Sequence, residues 1–401
     1  MSRVLIAGIG GGKNKETGTY RVANYKIEDK VYEKRSFITS ALEEHYKIDK
    51  TIFIGTTGSM WDNLYEFYCN RYSKEYDENY HLELMGVIDN ATMDTDIYSL
   101  NLAKFNETFK DKILAIVTKY GMNELEIFEN FNLIIQLQNE LKDGDEVYLD
   151  ITHSFRSNAF WMFLVMNYLT DVEDKKITVK AITYGMLEAQ KKGVAPVVDL
   201  NAFYKILQWI KGANNFKNYG NSYLIEQNIE NEKLSKKLRN FSDALNMNYI
   251  ASLRQSINSL KKLEEDIKSL EGPAKLIIPK VIKDFINRFD KEEKDYLFQA
   301  ELAKWHFDQK RYSMAAININ EAVVDFIMDA LNFPNIDTEI KTDKTRLAKI
   351  WLEQIKEVED EEIKKYGTMY VETRSIRNKI AHSLDNKRDL KEDIKNLKEY
   401  S

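Results

Sequence analysis

The feature that most constrains this chain is a change of hydrophobic period halfway along it. Up to about residue 200, short apolar runs alternate with longer amphipathic ones, the pattern of successive βαβ units and a mostly parallel sheet. Candidate strands are Arg3–Ile9, Thr51–Gly55, Leu82–Ile88, Glu146–Ile151 and Ile177–Tyr184, with a hairpin over Thr19–Lys34 and a last edge strand at Pro196–Leu200. Between them, Phe37–Tyr46, Met60–Arg71, Glu124–Leu141 and Phe155–Leu169 carry apolar residues at helical spacing, so helices are expected on both faces of the sheet. From Asn201 the strand signal stops and eight helical stretches follow, ending with Tyr312–Leu331, Thr345–Val358 and Tyr366–His382, with breakers at Gly272-Pro273 and Asn332-Phe333-Pro334. The expectation is a Rossmann-like α/β domain over 1–200, a helical connector over 201–245 and an all-α domain over 246–401.

Composition narrows the function classes. Lys and Arg number 58 against 64 Asp and Glu, so the net charge of −6 offers no global field for nucleic acid, and any RNA contact must be local. The lone Cys69 can form no intrachain disulfide, and with histidines only at 45, 81, 153, 306 and 382 no structural zinc site is expected. The apolar start before the glycines is shorter than a signal core or a membrane span, so a cytoplasmic protein with no membrane contact is expected.

Three strand ends carry polar loops. Gly8-Ile9-Gly10-Gly11-Gly12-Lys13 follows the first strand, where bare amides can cradle a phosphate. It matches neither the dinucleotide fingerprint, which needs glycine where Lys13 stands, nor the Walker A loop, which needs glycine at Ala7 and a hydroxyl at Asn14; a plain turn stands beside the phosphate reading. Thr56-Thr57-Gly58-Ser59-Met60 follows the second strand and suits either ligand contact or an N-cap by Thr57 or Ser59. Asp150-Ile151-Thr152-His153-Ser154-Phe155-Arg156 gathers five polar side chains within seven residues, and a serine-hydrolase reading of Ser154 fails for want of a Gly-x-Ser-x-Gly elbow. Three such loops at one sheet edge imply one shared binding site.

In the last strongly periodic helix, Met369, Thr373, Ile376, Ile380 and Leu384 are expected on one face, and Tyr370, Arg374, Arg377, Asn378 and His382 on the other. Such a polar set also arises by default near a helix C-terminus, where cations suit the dipole. Chemically it is what metal-free RNA cleavage requires: His382 to move protons at the 2′-hydroxyl or leaving oxygen, Arg377 to stabilise charge on phosphorus, and Asn378 to orient either. One helix face supplies one histidine, so an acid and a base together come most easily from two facing copies.

On these residues the chain resembles a known family, the CRISPR-associated ancillary ribonucleases of type III systems, built from a CARF sensor domain and a HEPN nuclease domain. The resemblance rests on Asp150–Arg156, on Gly55-Thr56-Thr57-Gly58-Ser59-Met60-Trp61, and on Arg377-Asn378-Lys379-Ile380-Ala381-His382, and spans the chain in that order. It implies a homodimer or higher assembly that binds a cyclic oligoadenylate, expected to be cyclic tetra-adenylate, across its sensor domains. Binding switches on metal-independent cleavage of single-stranded RNA in antiviral defence, with no resident cofactor. By the same resemblance Arg377 and His382 look like the catalytic pair with Asn378 beside them. Gly10, Gly11, Gly12, Lys13, Thr56, Thr57, Gly58, Ser59, Met60, Asp150, Thr152, His153, Ser154, Phe155 and Arg156 would line the ligand pocket. Many relatives carry glycine where Ser154 stands, which bears on the shape of that loop. His306, Arg311, Tyr312 and Glu321, in the preceding helical pair, are expected to be core or dimer-contact residues.

Three rival readings stand beside this one: a ligand-binding regulator with an inert helical domain, a sensor domain that also cleaves its own ring, and a nicotinamide-dependent oxidoreductase. The last fails on the glycine pattern and the wholly helical second half.

Overall fold

Val4, Leu5, Ile6 and Ala7 are all buried, as a strand covered on both faces requires, and they form the middle of β1 (Arg3–Gly8). Their side chains part by turns: Leu5 and Ala7 join one hydrophobic cluster with Trp61, Tyr65 and Phe105, while Val4 and Ile6 join another with Ile134, Met162 and Val165. The computed structural model describes residues 1–11, 22–153, 156–172, 175–262, 264–268, 270–290, 293–331, 340–382 and 389–400, which fall into two units, Met1–Tyr204 and Lys205–Ser401.

The first unit is a mixed sheet with helices on both faces. Its other strands are β2 (Ala23–Ile27), β3 (Lys30–Arg35), β4 (Lys50–Gly55), β5 (Ile113–Val117), β6 (Glu146–Asp150), β7 (Thr178–Gly185) and β8 (Val194–Asp199), in the order β3-β2-β8-β7-β6-β1-β4-β5. Strands β7, β6, β1, β4 and β5 run parallel, whereas β8 is antiparallel to β7 and β3 antiparallel to β2. The helices are α1 (Ile38–Tyr46), α2 (Trp61–Tyr72), α3 (Glu78–Asp89), α4 (Ala103–Phe109), α5 (Glu124–Ile135) and α6 (Arg156–Asp171). From β1 the chain builds outward through β4 to β5, then returns to lay β6 on the opposite side of β1. The carboxyl ends of β6, β1 and β4 therefore flank a topological switch point, where open α/β sheets bind ligands.

Three expectations for this unit need correction, and one strand was not foreseen. Leu82–Ile88 is not a strand but lies within α3: Asp77 caps that helix by accepting from Tyr80 N at 3.1 Å, and Tyr80, Leu84 and Ile88 are buried at spacing four. A cap worth ~1 kcal/mol plus ~1.5–3 kcal/mol for each buried side chain outweighs a strand propensity that spans only ~1 kcal/mol. The strand that takes its place in the sheet is β5, short enough to pass for a loop between helices. The strand at Pro196–Leu200 is interior, because β2 of the hairpin pairs with β8 on the side away from β7. Helix α5 stops at Ile135, and Gln136–Glu140 continues as a 3₁₀ turn.

The second unit is helical throughout its described residues: α7 (Asn201–Tyr219), α8 (Tyr223–Gln227), α9 (Glu232–Asn246), α10 (Ile250–Lys261), α11 (Glu264–Lys268), α12 (Gly272–Phe289), α13 (Asp295–Asp308), α14 (Tyr312–Ala330), α15 (Ile340–Ile355), α16 (Glu361–His382) and α17 (Asp389–Tyr400). The final helix, Asp389–Tyr400, was not anticipated; its charged sequence buries little beyond Leu397. Two hydrophobic clusters divide the unit. Phe216, Leu234, Leu238 and Phe241 pack with Phe285, Phe289 and Trp305, so the stretch set apart as a connector shares its core with residues as far as the last turn of α13. Ala316, Val323, Ala348, Leu352, Tyr370 and Ile376 form the other, which holds α14, α15 and α16 together.

Helix α16 begins where the Asp360 carboxylate accepts from Glu362 N and Ile363 N, and Gly367 lets it approach α15 closely. A Cβ there would lie 2.6 Å from Lys356 N and 2.8 Å from Leu352 O. Its buried stripe is Gly367, Tyr370, Thr373 and Ile376. Tyr370 thus lies on the buried face rather than the polar one, and Ile380 is exposed, because α14 and α15 cover only the helix's middle turns. Leu384 lies outside the described residues. No described helix is long and apolar enough to cross a membrane.

Candidate functional site

At the sheet edge of the first unit, the loops after β1 and β4 are bonded to each other. Ser59 Oγ donates to Ile9 O at 2.8 Å and accepts from Thr56 N at 3.0 Å, Met60 N donates to Gly10 O at 3.1 Å, and Trp61 Nε1 donates to Thr56 O at 2.8 Å. The close approach depends on glycine: a Cβ at Gly55 would lie 2.5 Å from Ile9 Cγ2 and 2.7 Å from Ser59 Oγ, and one at Gly11 would lie 2.9 Å from Gly58 O. Ser59 therefore joins two loops rather than capping α2, whose N-cap Met60 has no side-chain bond. Thr57 Oγ1 is buried with no hydrogen-bond partner among the described residues.

The β6 loop is held by a buried carboxylate. Asp150 Oδ1 accepts from Thr152 Oγ1 at 2.7 Å and Thr183 Oγ1 at 2.9 Å, and Thr152 Oγ1 in turn accepts from Gly185 N at 2.8 Å. Burial pushes the Asp150 carboxyl up to about 6, against the pull of the threonine hydrogen bonds. Burial pushes the neighbouring His153 imidazole down to about 4, so it is neutral near pH 7. Gly10, Gly11, Thr56, Thr57, Gly58, Ser59, Met60, Asp150, Thr152 and His153 thus sit on adjoining loops at the carboxyl ends of the neighbouring strands β6, β1 and β4. Gly12, Lys13, Ser154 and Phe155 lie outside the described residues, and Arg156 opens α6 with an undescribed side chain.

In the second unit a cavity of about 670 Å³ is lined by Arg377 and Asn378 together with Asn320, Thr345, Arg346, Lys349, Ile350, Glu353, Tyr370 and Arg374. Arg377 Nη1 pairs with Glu321 Oε1 of α14 at 3.1 Å, and Arg374 pairs with Glu353 of α15. His382 is exposed at the last position of α16 and is not among the lining residues. Sequence reading singled out neither Arg346, Lys349 and Glu353 nor Asn320; the signal for the first three was their i, i+3, i+7 spacing along one face of α15.

Of the companion residues, Glu321 pairs with Arg377 as above and Tyr312 packs edge-on against Phe307. His306 is fully buried, and burial with the nearby Arg311 pushes its imidazole down to about 3. The Arg311 guanidinium lies over the Trp305 and Tyr219 rings and donates to Tyr219 O.

Residues 4–188 match the family model described as CRISPR system endoribonuclease Csx1, CARF domain, and residues 205–296 match CRISPR-associated protein MJ1674, second domain. CRISPR-associated protein MJ1674 of Methanocaldococcus jannaschii is 35% identical over 409 aligned residues, covering 96% of this chain and 62% of the relative, so the chain spans less than two thirds of that protein's length. Among solved structures, Enterococcus italicus Csm6 bound to cyclic hexa-2′-fluoro-hexa-dAMP aligns over 100% of this chain and 92% of its own, at 12% identity and a TM-score of 0.40. The α/β unit is thus similar to the CARF domain of the Csx1 family, and the chain as a whole is similar to a CRISPR-associated protein.

Proposed function

We propose that the chain is a signalling ribonuclease: its CARF domain binds a cyclic oligoadenylate at the switch-point loops, and its C-terminal helices form a HEPN domain that cuts single-stranded RNA. The observation that carries the reading is the placement of Arg377 and Asn378 on the wall of a cation-rich cavity large enough for a nucleotide. In support, the sheet-edge loops are pre-bonded into a rim of hydroxyls and amides, which suits the sugar, base and phosphate edges of an adenylate ring.

The chemistry follows from the residue types. The 2′-oxygen of one nucleotide attacks the adjoining phosphorus and gives up its proton to a base. The bond to the 5′-oxygen breaks, and that oxygen takes a proton from an acid, leaving a 2′,3′-cyclic phosphate and a 5′-hydroxyl. His382 serves in proton transfer, Arg377 opposes charge on the phosphoryl oxygens, and Asn378 orients one or the other. A second copy supplies the second histidine, so the working form is a homodimer or an assembly of dimers. Cyclic tetra-adenylate is the proposed activator, the cytoplasm the proposed site of action, and antiviral defence the proposed role.

The test is cleavage of a fluorescent single-stranded RNA in EDTA, with cyclic tetra-adenylate and cyclic hexa-adenylate added separately to the wild type and to His382→Ala. Activation by one ring, removed by the substitution, supports the proposal. Silence with both rings despite measurable binding points to a regulator with inert helices, and cleavage indifferent to any ring breaks the link between the domains.

A further inference from the structure

Asn320 of α14 is only 1% exposed, yet it lines the cavity that holds Arg377 and Asn378. Its Nδ2 donates to Tyr370 O and to Thr373 Oγ1, both at 3.1 Å. The direction of the amide is forced. The Tyr370 carbonyl can only accept, and the Thr373 hydroxyl spends its proton on Met369 O at 2.7 Å, so only the nitrogen end of Asn320 can face α16. That leaves Oδ1, which has no hydrogen-bond partner among the described residues. A buried acceptor without a partner costs about 1–3 kcal/mol, and Asn320 lies in the wall of the cavity.

The rest of the lining says what kind of donor. Arg346, Lys349, Arg374 and Arg377 line it with one carboxylate, Glu353, and Arg377 pairs with Glu321 outside the lining; four cations against two carboxylates favour an anion. Glu353 engages Arg374, whereas Arg346 and Lys349 have no ion pair among the described residues. An acceptor at the back of a cationic pocket fits a nucleotide whose phosphate meets the cations and whose base presents an amine.

We infer that this cavity is a base-reading pocket beside the cut, in which Asn320 Oδ1 accepts from the exocyclic amine of adenine or cytosine while Arg346 and Lys349 hold an adjoining phosphate. Hypoxanthine or uracil would present a keto oxygen at the same place and set one acceptor against another, so Asn320 is a specificity determinant for RNA cleavage. This rests on the ribonuclease reading above. Sites built to bond a polar group reject analogues lacking it far more strongly than apolar pockets reject a missing methylene.

The test uses the full-length, ring-activated protein and fluorescent RNAs identical except at one nucleotide, scanned across the cut site. Adenine is compared with hypoxanthine and cytosine with uracil. The wild type should lose about tenfold or more in kcat/KM on either exchange at one position. Asn320→Ala should bring both ratios close to one, and Lys349→Ala should raise KM for all four RNAs alike. Asn320→Ala also forfeits two bonds to α16, so its fold is checked by circular dichroism; should it not fold, the wild-type ratios alone decide. Equal wild-type rates within both pairs at every position would overturn the inference. So would ratios retained in a folded Asn320→Ala, or a penalty seen only with a 2′-O-methyl group on the neighbouring nucleotide and never with a changed base. RNA cut without base preference removes only this inference, whereas no RNA cut with any ring removes the ribonuclease reading with it.

Discussion

At the sheet edge of the CARF domain, Ser59, Thr152 and Asp150 spend their hydrogen bonds on the chain's own loops. Around α16, Arg377 and Arg374 instead lean on carboxylates of neighbouring helices, and His382 stands exposed at the helix end. The first site has its shape before any ligand arrives, at the cost of tight backbone packing. The second is charged, open and supplied with one histidine per chain. A sensor gains from preorganisation, because less ordering opposes binding, whereas a cutting site assembled from two copies stays idle until they are aligned.

The largest effect that sharpens this contrast is expected from His382→Ala. It should lower RNA cleavage by about 10³-fold through loss of proton transfer, with ring affinity in calorimetry unchanged. Next is Gly55→Ala, which forces a Cβ into Ile9 and Ser59. Overpacking of this kind should destabilise the CARF domain by about 1–3 kcal/mol and weaken ring binding, visible as a lower melting temperature and a shifted titration; an unchanged melt would mean the two loops are less tightly joined than their hydrogen bonds imply.

Acid should separate the two units. His153 and His306 are held below the ordinary histidine value of 6.5, so the stability each contributes is present above that pH and is lost as pH falls toward about 4 and about 3 respectively. Asp150 is held above its ordinary 3.8, so its contribution is present below that value and is lost as pH rises through about 6. Between pH 7 and pH 5 the shifts of His153 and Asp150 oppose each other in the first unit, while His306 in the second costs about 2 kcal/mol. Hydrogen exchange of the full chain, corrected for intrinsic rates, should show α13 and α14 losing more protection than the sheet, and His306→Phe should remove that difference. Smallest is Glu321→Gln: its pair with Arg377 is more than a third exposed, so stability should move by less than about 1 kcal/mol in a thermal melt.

How much of this was legible in the sequence follows from the range of the interactions concerned. The continuous apolar run of β1, the polar loops after three strands and the residues Arg377 and Asn378 are local patterns, and the structure carries them on the elements expected. Leu82–Ile88 misled because a short, mostly apolar run interrupted by Glu83 shows no clear period until Asp77 caps it and Tyr80 extends its buried face. Tyr370 and Ile380 changed sides because the face a helix buries is set by which neighbours cover which turns, and the buried stripe of α16 runs only from Gly367 to Ile376. Asn320 was unreadable in advance: its significance lies in two bonds to residues about fifty positions away and in the oxygen they leave over.

The central claim, that ring binding in the first unit governs cutting by the second, is tested most directly by measuring ring affinity and ring-dependent RNA cleavage on the same preparations of wild type, Thr152→Val and His382→Ala. The account predicts that Thr152→Val, which loses the link between Asp150 and Gly185 N, shifts the activation curve to higher ring concentration and leaves the maximal rate nearly unchanged. His382→Ala should keep the binding curve and lose the rate. Cleavage surviving in His382→Ala, or a Thr152→Val variant whose maximal rate falls with no shift in the ring needed, would contradict it.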